Sequence, residues 1–439
     1  MAGLLCALLL LGCTAPDGHN AIPKRKGGHR RNKDDRVLSQ ASITPTSEPA
    51  PLVSPAPEPP REWWKHQIDK AIEGRPMDLV VGVDGATLYS DGARNRRPPA
   101  SVQKLLFTMA LFDTMGPQAR LTTSLAARDR KGATVEGDLW IVGSGDPTLG
   151  HKPAWRNTLA FGATNLGSLV TRLKRMGITT VAGGVRAARL PFKHDWFAPG
   201  WKSYFPISHV GLPSALTLNG NVHKRQYTKK PEKLVAESLR KLLQKAGIAV
   251  SGAPGTGAPP KGLNKLTNVR SRPLWILARF MNRQSNNFFA EVLAKRLAVE
   301  TAGPPGTIAK GARAIERYAR RRGVELEAHD ASGLSYDNRV SPRGIVRLLA
   351  RVEKEPWFAR LRHGLAGAGE GTLKDRLANI RIRAKTGTLI DVSALAGWIW
   401  LERSKAWARF AILSRGIPKS EAIKIEDRIV HLVAAHARA

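Results

Sequence analysis

The sequence predicts an α+β fold in which helices flank one antiparallel sheet and an additional α/β subdomain is inserted. Two strand patterns come early, at residues 77–83 and 86–90, and three come late, at 381–387, 393–401 and 406–413. These stretches are rich in the apolar and β-branched residues that favour strands. Helix patterns fill much of the chain between them, so the early and late strands are expected to share one sheet with the helices beside it.

The charge of the chain is strongly positive. Among 439 residues, 70 are Lys or Arg and 35 are Asp or Glu, a formal net charge of +35. Such a balance is typical of proteins that bind nucleic acid or an anionic surface. The basic residues are scattered and no nucleic-acid-binding motif accompanies them, so no nucleic acid partner is predicted. Two interpretations stay open, an arginine-rich proteome and attraction to an anionic envelope, and we favour the first.

The start of the chain predicts export followed by a tether. The apolar run at residues 3–12 is too short to span a membrane and fits the core of an export signal. Leu10-Leu11-Gly12-Cys13 resembles the bacterial lipoprotein box, so residues 1–13 are expected to form a signal whose Cys13 becomes lipidated, which anchors the protein to a membrane in the periplasm or cell envelope. Residues 14–60 are basic and then proline-rich, and would reach roughly 40 Å as a flexible coil. The only cysteines are Cys6 and Cys13, both within residues 1–13, so no disulfide is expected in the fold.

Periodicity and turn chemistry predict the remaining elements. Trp64, Ile68 and Ile72 recur every four residues in a helix at 62–72, and Asp84-Gly85 predicts a hairpin turn between the first two strands. One helix begins near Ser101. Further helices are predicted at residues 166–176, 231–246, 273–281, 288–299, 341–351 and 421–438.

The segment between the Ser101 helix and residue 285 is too long for a connecting loop and must hold an insertion. The inserted α/β subdomain is placed at residues 122–228, with strands at 137–143 and 178–185 and an irregular, aromatic segment after them. The helix at 231–246 is assigned to the main domain. That domain is therefore expected to consist of residues 61–121 and 229–439.

Ser101 and Lys104 are the first candidates for chemistry. They are three residues apart, so a helix places them on one face, with an amine beside a hydroxyl. A serine hydroxyl is a poor nucleophile until a neighbouring base takes its proton. The apolar run that follows Lys104 is expected to bury the helix and keep the amine dry. Such a pair alone is weak evidence, since most Ser-x-x-Lys pairs lie on solvated helix faces.

Two further motifs follow in the order expected for one type of serine enzyme. Ser285-Asn286-Asn287 matches Ser-x-Asn at a junction between two predicted helices, and Lys385-Thr386-Gly387-Thr388 matches Lys-Thr-Gly on a late strand. Each has a structural alternative: Ser285 could cap a helix, and Lys385 could be a strand-edge charge. The three motifs together favour a catalytic interpretation.

These motifs resemble those of the class C, low-molecular-mass penicillin-binding proteins, the D-alanyl-D-alanine carboxypeptidase/endopeptidase family with an insertion after the nucleophile helix. The resemblance covers roughly residues 75–435. Three shorter stretches also carry it, Gly143 to Leu149, Asp330 to Ser335 and Gly371 to Leu373. It implies a penicillin-binding/β-lactamase-like fold in which the main domain is catalytic. The chain departs from the family at Ala331 and Asn286, and neither departure removes a catalytic group.

The resemblance also implies a role for each motif residue in hydrolysis of a D-alanyl-D-alanine bond. Ser101 would attack the carbonyl and form an acyl-enzyme, with Lys104 as the base. Burial and the nearby cation Lys385 would lower the pKa of Lys104. Ser285 would relay a proton to the leaving amine, and Asn287 would orient Lys104 and the substrate amide. The backbone N–H groups of Ser101 and Thr388 would form the oxyanion hole. The remaining substrate contacts are expected from the last motif, namely Lys385, Thr386, Gly387 and Thr388.

The implied partners are peptidoglycan stem peptides and β-lactam antibiotics, with no cofactor. His151, His194, His209 and His223 lack metal-ligand spacing, so no metal is predicted. Two alternatives remain open. A β-lactamase would need a deacylating carboxylate, and no Glu-x-x-Leu-Asn occurs between Ser285 and Lys385. A non-catalytic, wall-binding lipoprotein would not react at Ser101. The sequence does not separate carboxypeptidase from endopeptidase activity.

Overall fold

The structure, a computed structural model, describes residues 62–223 and 226–438. The predicted signal, the tether and Cys13 lie outside these residues. The helices are α1 Trp63–Ile72, α2 Gln103–Met115, α3 Pro153–Thr158, α4 Gly167–Arg175, α5 Pro231–Lys245, α6 Leu274–Arg283, α7 Asn287–Ala302, α8 Ile308–Arg321, α9 Pro342–Val352, α10 Phe358–Gly364 and α11 Lys419–His436.

The strands fall into two larger sheets, a smaller sheet and several short pairs. They are β1 Met77–Val83, β2 Ala86–Asp91, β3 Thr122–Ala127, β4 Asp129–Lys131, β5 Thr134–Glu136, β6 Leu139–Gly143, β7 Leu149–Gly150, β8 Thr164–Asn165, β9 Thr180–Val181, β10 Val185–Ala188, β11 Val222–His223, β12 Gln226–Tyr227, β13 Ala249–Val250, β14 Gly255–Gly257, β15 Asn264–Arg270, β16 Leu326–Glu327, β17 Arg339–Val340, β18 Ile382–Thr388, β19 Val392–Leu401 and β20 Ala406–Arg415.

The main sheet joins the two ends of the described chain in the order β18-β19-β20-β1-β2, and every neighbouring pair is antiparallel. The prediction of a single sheet from two early and three late strands is therefore confirmed. The first hairpin turns at Asp84 and Gly85, whose φ angles of 46° and 88° suit a two-residue turn. Strand β1 is buried along its whole length, as expected for a strand paired on both edges.

The two faces of the main sheet pack against different helices. On one face, α1 and α11 contribute Ile68, Ile429 and Val433 to a core with Leu395 and Phe410 of the sheet. On the other face, Ala394, Ala396 and Trp398 of β19 join a larger core built from α2 and α6 to α10. Small residues on this face let the start of α2 approach the strands closely.

The second sheet belongs to the inserted unit. Its strands run in the order β14-β10-β6-β3-β15, and a smaller sheet follows the order β13-β9-β5-β4. Helix α5 packs on β10, β14 and α4, with Val235, Leu239 and Leu243 in the core of this unit.

The predicted end of the insertion at residue 228 is therefore too early, because the second sheet extends from Thr122 to Arg270. The apolar stripe of α5 shows in the sequence, but the stripe does not say which sheet it covers. Among the described residues, no helix combines the length and apolarity needed to cross a membrane.

Candidate active site

Ser101 lies in a single 3-10 turn, Ala100–Val102, that leads directly into α2. Every residue of α2 from Gln103 to Phe112 is buried, so packing fixes this helix on all sides. Ala100 has a φ of 43°, in the left-handed region that few residues other than glycine adopt. Ser101 stays partly exposed, whereas Lys104, one turn further on, is fully buried. The predicted burial of the helix is confirmed.

Two glycines hold the backbone of this turn from opposite sides. A Cβ atom on Gly333 would collide with the carbonyl oxygen of Ala100, and one on Gly387 would lie 2.6 Å from the carbonyl oxygen of Pro99. Gly333 also has a φ of 79°, which a side chain would strain. Backbone can approach this closely only where no side chain intervenes. The turn that carries Ser101 is therefore clamped between β18 and the loop at residues 330–335.

The side chain of Lys104 is surrounded by oxygen atoms. Its Nζ donates hydrogen bonds to Ser101 Oγ at 2.9 Å and Asn287 Oδ1 at 2.7 Å, and a third to the carbonyl oxygen of Ser332. Asn287 is the first residue of α7, and its Nδ2 donates to the carbonyl oxygen of His209 at 3.3 Å. Three elements distant in sequence thus meet at one amine.

Lys385 forms the second buried cation of the site. It is fully buried on β18, and its Nζ donates to Ser285 Oγ at 3.1 Å and to the carbonyl oxygen of Thr386 at 2.7 Å. The Thr386 hydroxyl donates to Thr372 Oγ1 at 2.7 Å. Ser285 does not cap α7, because the N-cap is Asn286, whose side chain accepts from the Phe289 N–H.

The structure brings the predicted side chains together in two hydrogen-bonded groups, Ser101-Lys104-Asn287 and Ser285-Lys385. Strand β18 packs against the Ser101 turn, which places Gly387 in contact with that turn. Thr388, at the end of β18, is exposed.

Comparison with known proteins shows the family. The D-Ala-D-Ala carboxypeptidase 3 (S13) family matches residues 65–230 and 216–436. The chain belongs to this family. The peptidase is 30% identical over 397 residues to Carboxypeptidase DacB of Mycolicibacterium smegmatis, covering 84% of each chain. It is 26% identical over 467 residues to the D-alanyl-D-alanine carboxypeptidase of an Actinomadura species, covering 84% of this chain and 83% of that one.

The fold of the peptidase matches penicillin binding protein 4 (dacB) from Haemophilus influenzae, with a TM-score of 0.72 at 19% identity over 84% of this chain and 99% of that one. The predicted penicillin-binding fold, with additional subdomain sheets, is confirmed. The predicted family and enzyme class are also confirmed: the protein is a serine D-Ala-D-Ala carboxypeptidase/endopeptidase. A cell-wall peptidase of this family acts outside the cytoplasm.

Burial is the main influence on the pKa values of Lys104 and Lys385, the two buried lysines of the peptidase's candidate site. It lowers the pKa of Lys104 from 10.5 to about 7, against the opposing pull of Asp330 and Glu291. Burial, then the charge of Lys104, lowers the pKa of Lys385 well below its usual value. The sequence argument assigned part of the Lys104 shift to Lys385. In the structure, burial is the largest cause at both lysines, and the repulsion between their like charges disfavours two ammonium groups side by side.

Sequence analysis did not identify two buried carboxylates behind Lys104. The carboxylate of Asp330 organises its own loop. It accepts hydrogen bonds from Trp201 Nε1, Ser332 Oγ, Asn338 Nδ2 and the N–H groups of Gly333 and Ser335. Glu291 accepts from the N–H groups of Ala331 and Ser332 at 3.0 and 2.7 Å. The signal for Asp330 was its place before a run of small residues, where aspartate commonly bonds the following backbone.

Two residues to which the sequence analysis gave no individual role also support the site of the carboxypeptidase. Thr372 accepts a hydrogen bond from Thr386, and Trp201, from the irregular aromatic segment of the insertion, donates one to Asp330.

In the described ranges, no group of three or more His, Cys, Asp or Glu side chains could hold a metal ion.

Proposed function

We propose that the peptidase cleaves the D-alanyl-D-alanine bond of peptidoglycan stem peptides through an acyl-enzyme on Ser101. The observation that carries this proposal is the convergence of Ser101 Oγ, Asn287 Oδ1 and the Ser332 carbonyl on Lys104 Nζ. It supplies a nucleophile, a base and groups that orient the base within hydrogen-bond reach.

The chemistry of the three acceptors decides where a neutral Lys104 directs its lone pair. The amide oxygen of Asn287 and the carbonyl oxygen of Ser332 can only accept hydrogen bonds. They take the two N–H groups of the free amine. Only the Ser101 hydroxyl can donate, so the lone pair of the amine faces the proton that the reaction must remove. In acylation, the Ser101 proton moves to Lys104 Nζ while Oγ bonds to the substrate carbonyl carbon.

The second hydrogen-bonded group is suited to the departure of D-alanine. The leaving amine needs a proton as the C–N bond breaks, and the proton that Lys104 took from Ser101 supplies it. Ser285, whose Oγ is hydrogen-bonded to Lys385, would relay this proton to the amine. The ammonium of Lys385, with Thr386, Gly387 and Thr388, would receive the terminal carboxylate of the substrate. The backbone N–H groups of Ser101 and Thr388 would stabilise the developing oxyanion. Water then hydrolyses the ester and frees Ser101.

Acylation is expected to rise with pH through about 7. The pKa of Lys104 near 7 means that the amine is protonated below this pH and becomes the free base above it. The rate constant for acylation of Ser101 by a fluorescent penicillin, measured from pH 5 to 9, checks this prediction. A rate that is flat across neutral pH would contradict Lys104 as the base.

Covalent penicillin binding is part of the proposal. A structure of the Haemophilus influenzae relative is of a complex with a β-lactam, and the lysine-serine arrangement here suits the same attack on a lactam carbonyl. We expect a stable adduct at Ser101, identified by peptide mass mapping. An adduct that hydrolyses within seconds would favour the β-lactamase alternative, and absence of any adduct would remove the proposal.

The reaction itself is tested on isolated muropeptides. Monomers that lose one D-alanine, identified by mass, would establish carboxypeptidase action at this site, and crosslinked dimers split into monomers would establish endopeptidase action. Intact monomers and dimers after incubation with a penicillin-reactive enzyme would contradict the proposed substrate.

We also propose that lipidation of Cys13 anchors the peptidase to a membrane beside the cell wall. The lipoprotein-box pattern and the long polar segment at 14–60 support it. Labelling of the full chain with a radioactive fatty acid tests the anchor. Label that persists in the Cys13→Ala variant would contradict it.

A further inference from the structure

Glu291 is a fully buried carboxyl group one helical turn after Asn287 on α7. Its Oε1 accepts both backbone N–H groups described above, from Ala331 and Ser332. Its Oε2 is buried without a hydrogen-bond partner among the described residues. A buried carboxylate normally has a cation bonded to it, because burying an unpaired charge is costly. Glu291 makes no ion pair within the described chain.

The contacts of Glu291 lead directly to the proposed base. Ser332 gives its N–H to Glu291 and its carbonyl oxygen to Lys104. Glu291 therefore fixes the peptide segment that orients one of the two N–H groups of the free amine. Its negative charge also favours the protonated form of Lys104.

We propose that Glu291 is a positioning residue for acylation: its carboxyl group holds the Ser332 carbonyl against Lys104, and its charge state governs how readily Lys104 takes the proton of Ser101. The proposal rests on the role of Lys104 given above. No step of the reaction involves a bond to Glu291.

The charged groups around Lys104 and Glu291 come from several elements. Lys104 faces Asp330 from the 330–335 loop and Glu291 from α7, and it acts on Lys385 of β18. Glu291 faces Asp330 and also acts on Lys295, one turn further along α7. Lys295 is itself ion-paired to Asp195, so it does not neutralise Glu291.

The two groups are expected to titrate as a pair. Burial, then the charge of Asp330, raises the pKa of Glu291 to about 7, the same region as Lys104. When two such groups interact, protons leave in steps that belong to the pair rather than to either residue. A neutral Glu291 frees the amine for use as a base, whereas an ionised Glu291 stabilises the ammonium that forms during proton transfer.

The test is the pH dependence of penicillin acylation in Glu291→Gln. Glutamine keeps an oxygen that accepts from the two N–H groups but can carry no charge. We expect the rise of the acylation rate to move to lower pH by up to about one unit and to become a single-proton titration. We also expect a lower plateau, because the ammonium formed in the transition state loses a negative neighbour.

The control is Asp146→Asn. Asp146 is another buried carboxyl with a raised pKa, and its carboxylate is hydrogen-bonded to Thr148 and Thr164 within the inserted unit. This variant should leave the pH profile unchanged. Thermal unfolding of both variants identifies any loss of stability, and the midpoint of the profile is read only where the variant is fully folded.

Two outcomes separate this inference from the proposed function. A Glu291→Gln profile that keeps its midpoint and shape, while the wild type rises near pH 7, would overturn the role of Glu291 and leave Lys104 as the base. A wild-type profile without a rise near neutral pH would remove the role of Lys104, and this inference with it.

Discussion

Replacing Ser101 with alanine is expected to abolish both covalent penicillin labelling and D-alanine release. The variant removes Ser101 Oγ, the atom that forms the covalent bond to the substrate in the proposed reaction. Ser101 is partly exposed and its hydroxyl is bonded to Lys104 alone in the described structure, so the fold should survive. The loss of one hydrogen bond costs about 1 kcal/mol. Labelling is measured by gel fluorescence, release by mass spectrometry, and folding by thermal unfolding.

The matched control is Ser144→Ala in the inserted unit. Ser144 is also partly exposed, and its Oγ accepts one hydrogen bond, from the Thr122 N–H at 2.8 Å. This variant should lose a similar amount of stability and keep full labelling. Retention of label in Ser101→Ala would place the nucleophile elsewhere. Loss of label in both variants would mean that destabilisation, not chemistry, explains the result.

The main sheet and the catalytic motifs could be predicted because they depend on local patterns. Asp84-Gly85 sets its own turn, and the strands around 382–415 carry a clear apolar signal. The spacing of Ser101 and Lys104 fixes their common face whatever surrounds them. For these elements, the predicted and observed positions agree to within a few residues.

The limits of the insertion could not be predicted, because they depend on which surfaces pack together. Helix α5 was correctly placed as an element but was assigned to the main domain, whereas in the structure it packs on the second sheet. Helix α8, at Ile308–Arg321, was not identified at all, although Ile308, Ala312 and Ile315 form a buried stripe. The short strands of the second sheet, such as β13 and β14, carry too few residues for any periodicity to show.

Three residues that support the candidate site were missed for a similar reason, namely Glu291, Asp330 and Trp201. Glu291 follows Asn287 by one turn, which is visible in the sequence, but its acceptor role depends on the loop at 330–335 folding back onto α7. Asp330 and Trp201 are 129 residues apart and meet at a distance of 2.7 Å. A hydrogen bond of this kind leaves no local pattern, so only the folded chain reveals it.

Replacing Lys104 with methionine is expected to reduce acylation by a factor of about 10² to 10⁴, the usual contribution of a general base. Methionine has a similar length and no amine. Ser101 then keeps its proton, and the Asn287 and Ser332 oxygens lose their donor. The acylation rate with a fluorescent penicillin measures the effect. A variant that acylates at the wild-type rate would show that another group removes the proton.

The same variant should change stability in a pH-dependent way. The pKa of Lys104 is about 7 in the fold and 10.5 when exposed, so between these values the unfolded chain binds more protons than the folded one. The stability of the wild type therefore rises with pH across this window. Below pH 7 both forms are protonated, and the full cost of burying the cation remains. The unfolding temperature of Lys104→Met relative to wild type should thus be most favourable at or below pH 7 and decline towards pH 10.

Lys295→Met supplies the control, because Lys295 is equally buried but lies outside the proposed site. It is ion-paired to Asp195 and donates to the Lys193 carbonyl at 2.8 Å. Its removal leaves the Asp195 carboxylate without that cation, which is destabilising. Folded Lys295→Met should acylate at the wild-type rate. The two substitutions would then have different effects. The loss of Lys104 slows acylation and relieves the cost of burying a cation, whereas the loss of Lys295 lowers stability and leaves acylation unchanged.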